Sequence, residues 1–328
     1  MTAPAAGHGR TTVAVGYDGS EAAQGAVRWA AEYATLGKYR LRVVHAWVWP
    51  LFTHKLGPVR GVEGSGLRHA AEAILAEGVE LARTAHAAAS KAAPGPAAPE
   101  TAAGVTPPSG GTSPATGTAP AGGEPAGSEP EFAVEGVIEA GLPAPVLRGA
   151  AGDAALLVVS SRGLGGLLAH VAGSACLALA GSSPCPLMVI HRTRAPGEAP
   201  GPVVVGVDGT SRSSAALAAA ARLAAMIGAP LQVVHIDKTR GSARAVHGKH
   251  VLHGQELLDH AVADAKALAP EVPVTGSLRE GHAASKELLA AAADAEVLVI
   301  GAHNREGGPG NTVTAVLNKA RCNVLITR

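Results

Sequence analysis

Aromatic residues are scarce in this sequence: three Trp, three Tyr and two Phe make up 2% of 328 residues. Rows of aromatic rings are what single-stranded nucleic acids stack on, so such a platform is not expected. Cysteine is equally thin. Cys176, Cys185 and Cys322 are too few and too scattered for a disulfide framework or a four-thiolate zinc site. No apolar run approaches the length that crosses a bilayer. The opening MTAPAAGHGRTT has no apolar stretch of the kind a signal peptide carries. An excess of either charge is missing too, because 27 Lys and Arg stand against 26 Asp and Glu for a formal net charge of +1. That balance excludes wholesale electrostatic binding to nucleic acid or to a membrane surface. Together these absences predict a cytoplasmic protein in a reducing setting.

What is present is a repeat. The pattern V-x-V-G-x-D-G-[S/T] occurs at 13–20 (VAVGYDGS) and again at 203–210 (VVVGVDGT). Self-similarity across half a chain means a duplicated unit. Each copy opens with a β-branched run suited to a strand buried on both faces. Asp-Gly follows, then a Ser or Thr placed to cap a helix. The alanine-rich stretches 21–35 and 213–227 are the helices so capped. Second strands match as LRVVHAW (41–47) and LQVVHID (231–237). Further strands are expected at 132–141 and 272–281, helices at 144–151 and 283–293, and strands at 155–160 and 296–301. Both copies close on a cysteine-led strand, CPLMVIHR (185–192) and CNVLITR (322–328). Alternating strand and helix predicts an α/β protein with two doubly wound parallel-sheet domains of five strands each. The expected boundaries are a tail at 1–10, a first domain at 11–193, a linker at 194–201 and a second domain at 202–328.

The copies differ in two places. Residues 93–131 of the first are built from Pro, Gly, Ala, Ser and Thr, a composition that cannot bury a core, and are expected to be disordered. The second copy has no counterpart. The other difference is the loop after the fourth strand. In the first copy, 158–174 reads VVSSRGLGGLLAHVAGS. A strand ends, glycines follow, and Gly173-Ser174 opens a helix. Unhindered backbone N–H groups beside a helix N-terminus attract an anion, so this is a candidate phosphate cradle for a nucleotide. A doubly wound sheet places ligands outside the C-terminal ends of its strands, where strand order reverses, and Asp18 follows one such strand end. The plainer alternative is that Asp18 caps a helix and the glycines turn the chain.

These residues resemble the universal stress protein family in its tandem form. The family's phosphate motif is G-x2-G-x9-G-[S/T], read here as Ser160-x2-Gly163-x9-Gly173-Ser174 with serine in the first place. The resemblance implies a Rossmann-like sheet order of 3-2-1-4-5, a homodimer and an ATP-binding or nucleotide-independent regulator of stress responses. It also implies the site: Asp18 on the ribose and metal side, the Ala46 backbone at the adenine edge, and Gly163, Gly173 and Ser174 on phosphates. Ser161 and Arg162 lie nearby, and Gly16, Tyr17, Ser160, Gly165 and Gly166 complete the set. In the second copy the motif is Gly301-x2-Asn304, then five residues, then Gly310 and Asn311. A loop four residues shorter, carrying Pro309, predicts a weaker second site at Asp208, Ile236, Gly301, Gly310 and Asn311. The expected ligand is ATP, with or without Mg2+, and the expected partners are a second copy of the chain and a regulatory protein.

Side readings are weaker. Trp47, Trp49 and Phe52 follow the second strand and suit either a lid over a base or packing against a neighbour. Lys238, Arg240, Arg244 and Lys249 make the equivalent second loop basic, as a solvated surface does. His247, His250 and His253 lack a completing carboxylate, so no metal site is expected. Neither G-x-x-x-x-G-K-[ST] nor G-x-S-x-G is present. No general base stands beside Arg162, so dedicated catalysis is not expected. A nucleotide-free interaction scaffold and a slow ATPase are the alternatives.

Overall fold

The computed structural model describes residues 11–47, 65–92, 132–163, 172–195, 197–237, 253–302 and 308–328. The expected insert at 93–131, the basic loop residues, Trp49, Phe52, His247 and His250 lie outside them.

The first half runs β1 (Thr12–Gly16), α1 (Glu21–Leu36), β2 (Arg40–Trp47), α2 (Ser65–Ala92), β3 (Val134–Ala140), α3 (Pro143–Ala150), β4 (Leu156–Ser160), α4 (Ser174–Ser182) and β5 (Leu187–Ile190). The second repeats the plan as β6 (Val203–Val207), α5 (Ser211–Ile227), β7 (Leu231–Asp237), α6 (Gly254–Leu268), β8 (Val274–Glu280), α7 (Ala284–Ala291), β9 (Val297–Gly301), α8 (Asn311–Lys319) and β10 (Asn323–Thr327). Element starts follow the caps read from sequence. The Ser20 side chain accepts the Ala23 amide to open α1, and Thr210 accepts the Ser213 amide to open α5. Gly228, at φ 66°, supplies the left-handed residue that ends α5.

Among the described residues one mixed sheet of ten strands results, in the order β3-β2-β1-β4-β5-β10-β9-β6-β7-β8. Each half therefore has the order 3-2-1-4-5 with parallel pairing. The closing strands of the two halves meet at the centre of the sheet. They pair within the chain: β5 and β10 run antiparallel, with Val189 opposite Val324, Met188 opposite Leu325 and Leu187 opposite Ile326. The sheet edges are then β3 and β8.

Strand alternation divides the core in two. Val13 and Val15 point to one face, where Ala23, Ala26, Val27, Ala30 and Ala34 of α1 pack with α2, α5 and α6. Ala14 points to the other, against α3, α4, α7 and α8. The small residues along α1 let the helix axis approach the sheet closely. The linker is pinned between the halves by a buried carboxylate. Glu296, 2% exposed, lies 3.5 Å from the Arg192 guanidinium and 3.4 Å from that of Arg194. Among the described residues no helix is long and apolar enough to cross a membrane.

Candidate functional site

In a 3-2-1-4-5 sheet the reversal lies between the first and fourth strands, so β1 and β4 define one crevice and β6 and β9 the other. In the first, Asp18 follows the end of β1. Its Oδ1 accepts the Ser20 amide at 3.0 Å and the Ser20 hydroxyl at 2.6 Å. The helix-capping alternative is thus true of that oxygen. The other oxygen faces the loop: a Cβ placed on Gly163 would lie 2.6 Å from Asp18 Oδ2. Only glycine fits there without displacing the carboxylate.

The loop itself is fixed at both ends. Ser161 is buried; its amide donates to Ile190 O at 2.8 Å and its carbonyl accepts the Gly173 amide at 2.9 Å. The Ser160 hydroxyl turns onto the Arg162 carbonyl at 2.5 Å. Gly173 is the N-cap of α4 and has no side chain to satisfy the amides of the first turn. The first helical bond runs from Leu177 N to Gly173 O, which leaves the amides of Ser174, Ala175 and Cys176 outside the α4 ladder. That end of the helix carries partial positive charge. Cys176 does not exploit it: burial pushes its thiol up to about 12. Burial does the same to Cys322, up to about 11, so both act as core residues.

The structure thus brings Asp18, Ser160, Ser161, Arg162, Gly163, Gly173 and Ser174 to one edge, while Gly165 and Gly166 lie outside the described residues. The ring of one expected site residue faces elsewhere. The Tyr17 hydroxyl donates to Glu77 Oε1 on α2 at 2.8 Å, and burial followed by that carboxylate raises its pKa to about 12. Gly16 is packed against Leu147, whose Cδ1 would lie 3.0 Å from a Cβ there. Ala46 occupies the equivalent end of β2, half-buried.

The second crevice holds a cavity of about 280 Å³, lined by Asp208, Ile236, Gly301, Gly310 and Asn311 among others, so all five expected residues share it. This is near the lower end for small-molecule pockets. Asp208 Oδ1 accepts the Thr210 amide at 3.1 Å and the Thr210 hydroxyl at 2.6 Å, as Asp18 does with Ser20. Desolvation pushes the Asp208 carboxyl up. The Thr210 and Ser213 hydrogen bonds and the Arg212 charge outweigh it and hold the pKa below its ordinary value.

A matched pair of histidines also supports the crevices, and the sequence reading passed over it. Buried His45 places Nδ1 2.8 Å from Tyr17 O, and buried His235 places Nδ1 2.9 Å from Val207 O. A carbonyl only accepts, so Nδ1 carries the proton in both. Each imidazole fixes the peptide just before the site aspartate. The signal was available as VVH in both second strands.

Known proteins share this architecture. The universal stress protein family model matches residues 9–191 and again 201–328. Universal stress protein Rv2005c of Mycobacterium tuberculosis is 27% identical over 337 residues, covering 100% of this chain and 99% of its own. Universal stress protein Rv1996 of the same organism is 26% identical, covering 96% and 94%. Among solved structures, a universal stress protein from Archaeoglobus fulgidus superimposes with a TM-score of 0.66 at 15% identity, over 98% of this chain and 97% of that one. With the family model matched twice along its length, the chain belongs to the universal stress protein family, in tandem form.

Proposed function

We propose that the protein is a nucleotide-binding regulator of stress responses that holds ATP, with or without Mg2+, mainly in its first crevice. One observation carries this reading: Gly163 presses against Asp18 so closely that a single Cβ would fill the space, at 2.6 Å from Oδ2. The loop backbone and the acidic strand end therefore meet at one edge of the crevice. The α4 N-terminus lies at the same edge, its first-turn amides directed away from the helix. Phosphates sit on those amides, and Asp18 addresses the ribose or a bound cation. The Ala46 backbone meets the base. The second cavity, with a shorter loop, binds the same class of ligand more weakly. A homodimer, if formed, uses surfaces other than β5 and β10, which are engaged with each other. Binding by a regulatory protein partner in the cytoplasm completes the reading.

Nucleotide released by denaturing freshly purified protein, identified by mass spectrometry, tests this directly. Calorimetry with added ATP is the second arm, and Gly163→Asp is expected to abolish the tighter binding. Absence of released nucleotide together with no heat of ATP binding overturns the reading.

A further inference from the structure

The two repeats meet at more than the β5–β10 strand pair, and the contact is made by corresponding residues with different chemistry. Gly173 and Gly310 are the N-caps of α4 and α8, two helices of nine residues. The residue before each cap is Ala172 in one copy and Pro309 in the other. The eighth residue of each helix is Gly181 in one and Asn318 in the other. These four positions cross between repeats. Ala172 N, at the closing end of the first loop, donates to Asn318 Oδ1 of the second repeat at 3.0 Å. The reverse contact cannot be a hydrogen bond, because Pro309 has no N–H and Gly181 has no side chain. Backbone packs on backbone instead: a Cβ on Gly181 would lie 3.0 Å from Gly308 Cα and 3.1 Å from Pro309 N.

The helix ends are fastened the same way. His191, just after β5, brings Nε2 to 3.1 Å from Leu317 O in the last turn of α8. Arg328, just after β10, donates to Leu179 O at 3.2 Å and Ala180 O at 2.9 Å in α4. Donors at C-terminal carbonyls of a helix are favourable. Asn318 is therefore held on a helix whose neighbouring turn is clamped by the first repeat, while the opening residues of that helix line the second cavity.

We infer that Asn318 of the second repeat is a positioning residue for the anion loop of the first, so that the first crevice is built by both repeats. This rests on the nucleotide reading for its functional consequence but not for the tether itself. Asn318 holds the amide of Ala172, the residue immediately ahead of the Gly173 cap, and with it the direction of the α4 first-turn amides.

The test uses the full chain. Hydrogen exchange of the ligand-free protein is read at the Ala172 and Gly173 amides in wild type, Asn318→Ala and Asn318→Asp. Asn318→Ala is expected to speed exchange at Ala172 by about two- to tenfold, the worth of one neutral hydrogen bond, with Gly310 unchanged. Asn318→Asp keeps an acceptor oxygen and restores the protection. ATP affinity of Asn318→Ala should fall by a similar factor at the tight site. Unchanged exchange at Ala172, or equal acceleration throughout the chain, overturns the tether. Faster exchange at Ala172 with undiminished ATP affinity overturns the positioning role. A wild type that binds no ATP removes the functional reading alone, and the exchange arm still decides whether the tether exists.

Discussion

The two crevices share a frame and differ in how they are closed. In both, an aspartate after the first strand accepts an amide and a hydroxyl from the residue two places on, and a buried histidine grips the peptide before it. The first crevice then adds a glycine pressed on the second carboxylate oxygen and a loop amide borrowed by the other repeat. The second adds a proline and a shorter loop. A duplicated site can therefore retain its strand-end chemistry while its loop is rebuilt. The parts buried in the sheet are costly to change, and the loop is not.

The largest expected effect separates the two caps. Gly173→Asp and Gly310→Asp each place a favoured N-cap residue where the backbone leaves room. Each also sets a carboxylate where an anion would bind. At about 4 Å and an effective dielectric near 20, repulsion of about 4 kcal/mol corresponds to roughly a thousandfold loss of affinity. Calorimetry should show the tighter class of ATP sites vanish in Gly173→Asp and only the weaker class in Gly310→Asp. Loss of the tight class from Gly310→Asp would reverse the assignment of the copies.

Next in size is the join that lets the repeats be compared as one body. Arg192→Ala combined with Arg194→Ala strands the buried Glu296 carboxylate, a change expected to cost about 3 kcal/mol in urea unfolding. Glu296→Gln, which leaves only half-exposed guanidiniums, should cost less. A cost confined to one of two separate unfolding transitions would show that the repeats fold independently.

Smaller again is the histidine pair. His45→Leu and His235→Leu each leave a buried carbonyl without its donor, at about 1–2 kcal/mol. Because the two contacts measure 2.8 and 2.9 Å, the costs should agree. A clear inequality would mean that the frame itself has diverged.

The repeat made most of this legible in advance. Val-rich runs, Ser20 and Thr210 caps and alanine helices recur in register, so element order followed from pattern alone. Asp18 and Gly163 could be placed at one edge because the family resemblance implied the strand order, and strand reversal fixes where ligands enter. What could not be read depends on contacts distant in sequence. Either closing strand alone looks like an edge, and only their assembly shows that β5 and β10 satisfy each other. Asn318 reads as a polar residue on a short helix until Ala172, 146 positions away, is brought to it. The Tyr17 ring lies where it does for a local reason: the alternation of β1 continues one residue past its end and sends the ring to the α2 face. The second cavity could not be read from loop length, because strand ends and the start of α8 form much of its wall.

The smallest effect concerns Asp208 and acid. Thr210, Ser213 and Arg212 outweigh desolvation, so this carboxyl ionises at lower pH in the folded chain than in the unfolded one, where it titrates near about 3.9. A depressed folded pKa means that the ionised group stabilises the fold at pH above the unfolded value. That contribution disappears as pH falls through the folded value. Asp208 is exposed, so the gain is screened and should stay under about 1 kcal/mol. Asp208→Asn retains an oxygen to accept from Thr210 and removes only the charge. Urea unfolding should therefore find the variant slightly less stable than wild type at pH 7, by a margin that shrinks as the pH is lowered through the folded value. A deficit that grows on acidification would mean that the Thr210, Ser213 and Arg212 contacts do not favour the carboxylate, and that Asp208 no longer shares the role its geometry has in common with Asp18.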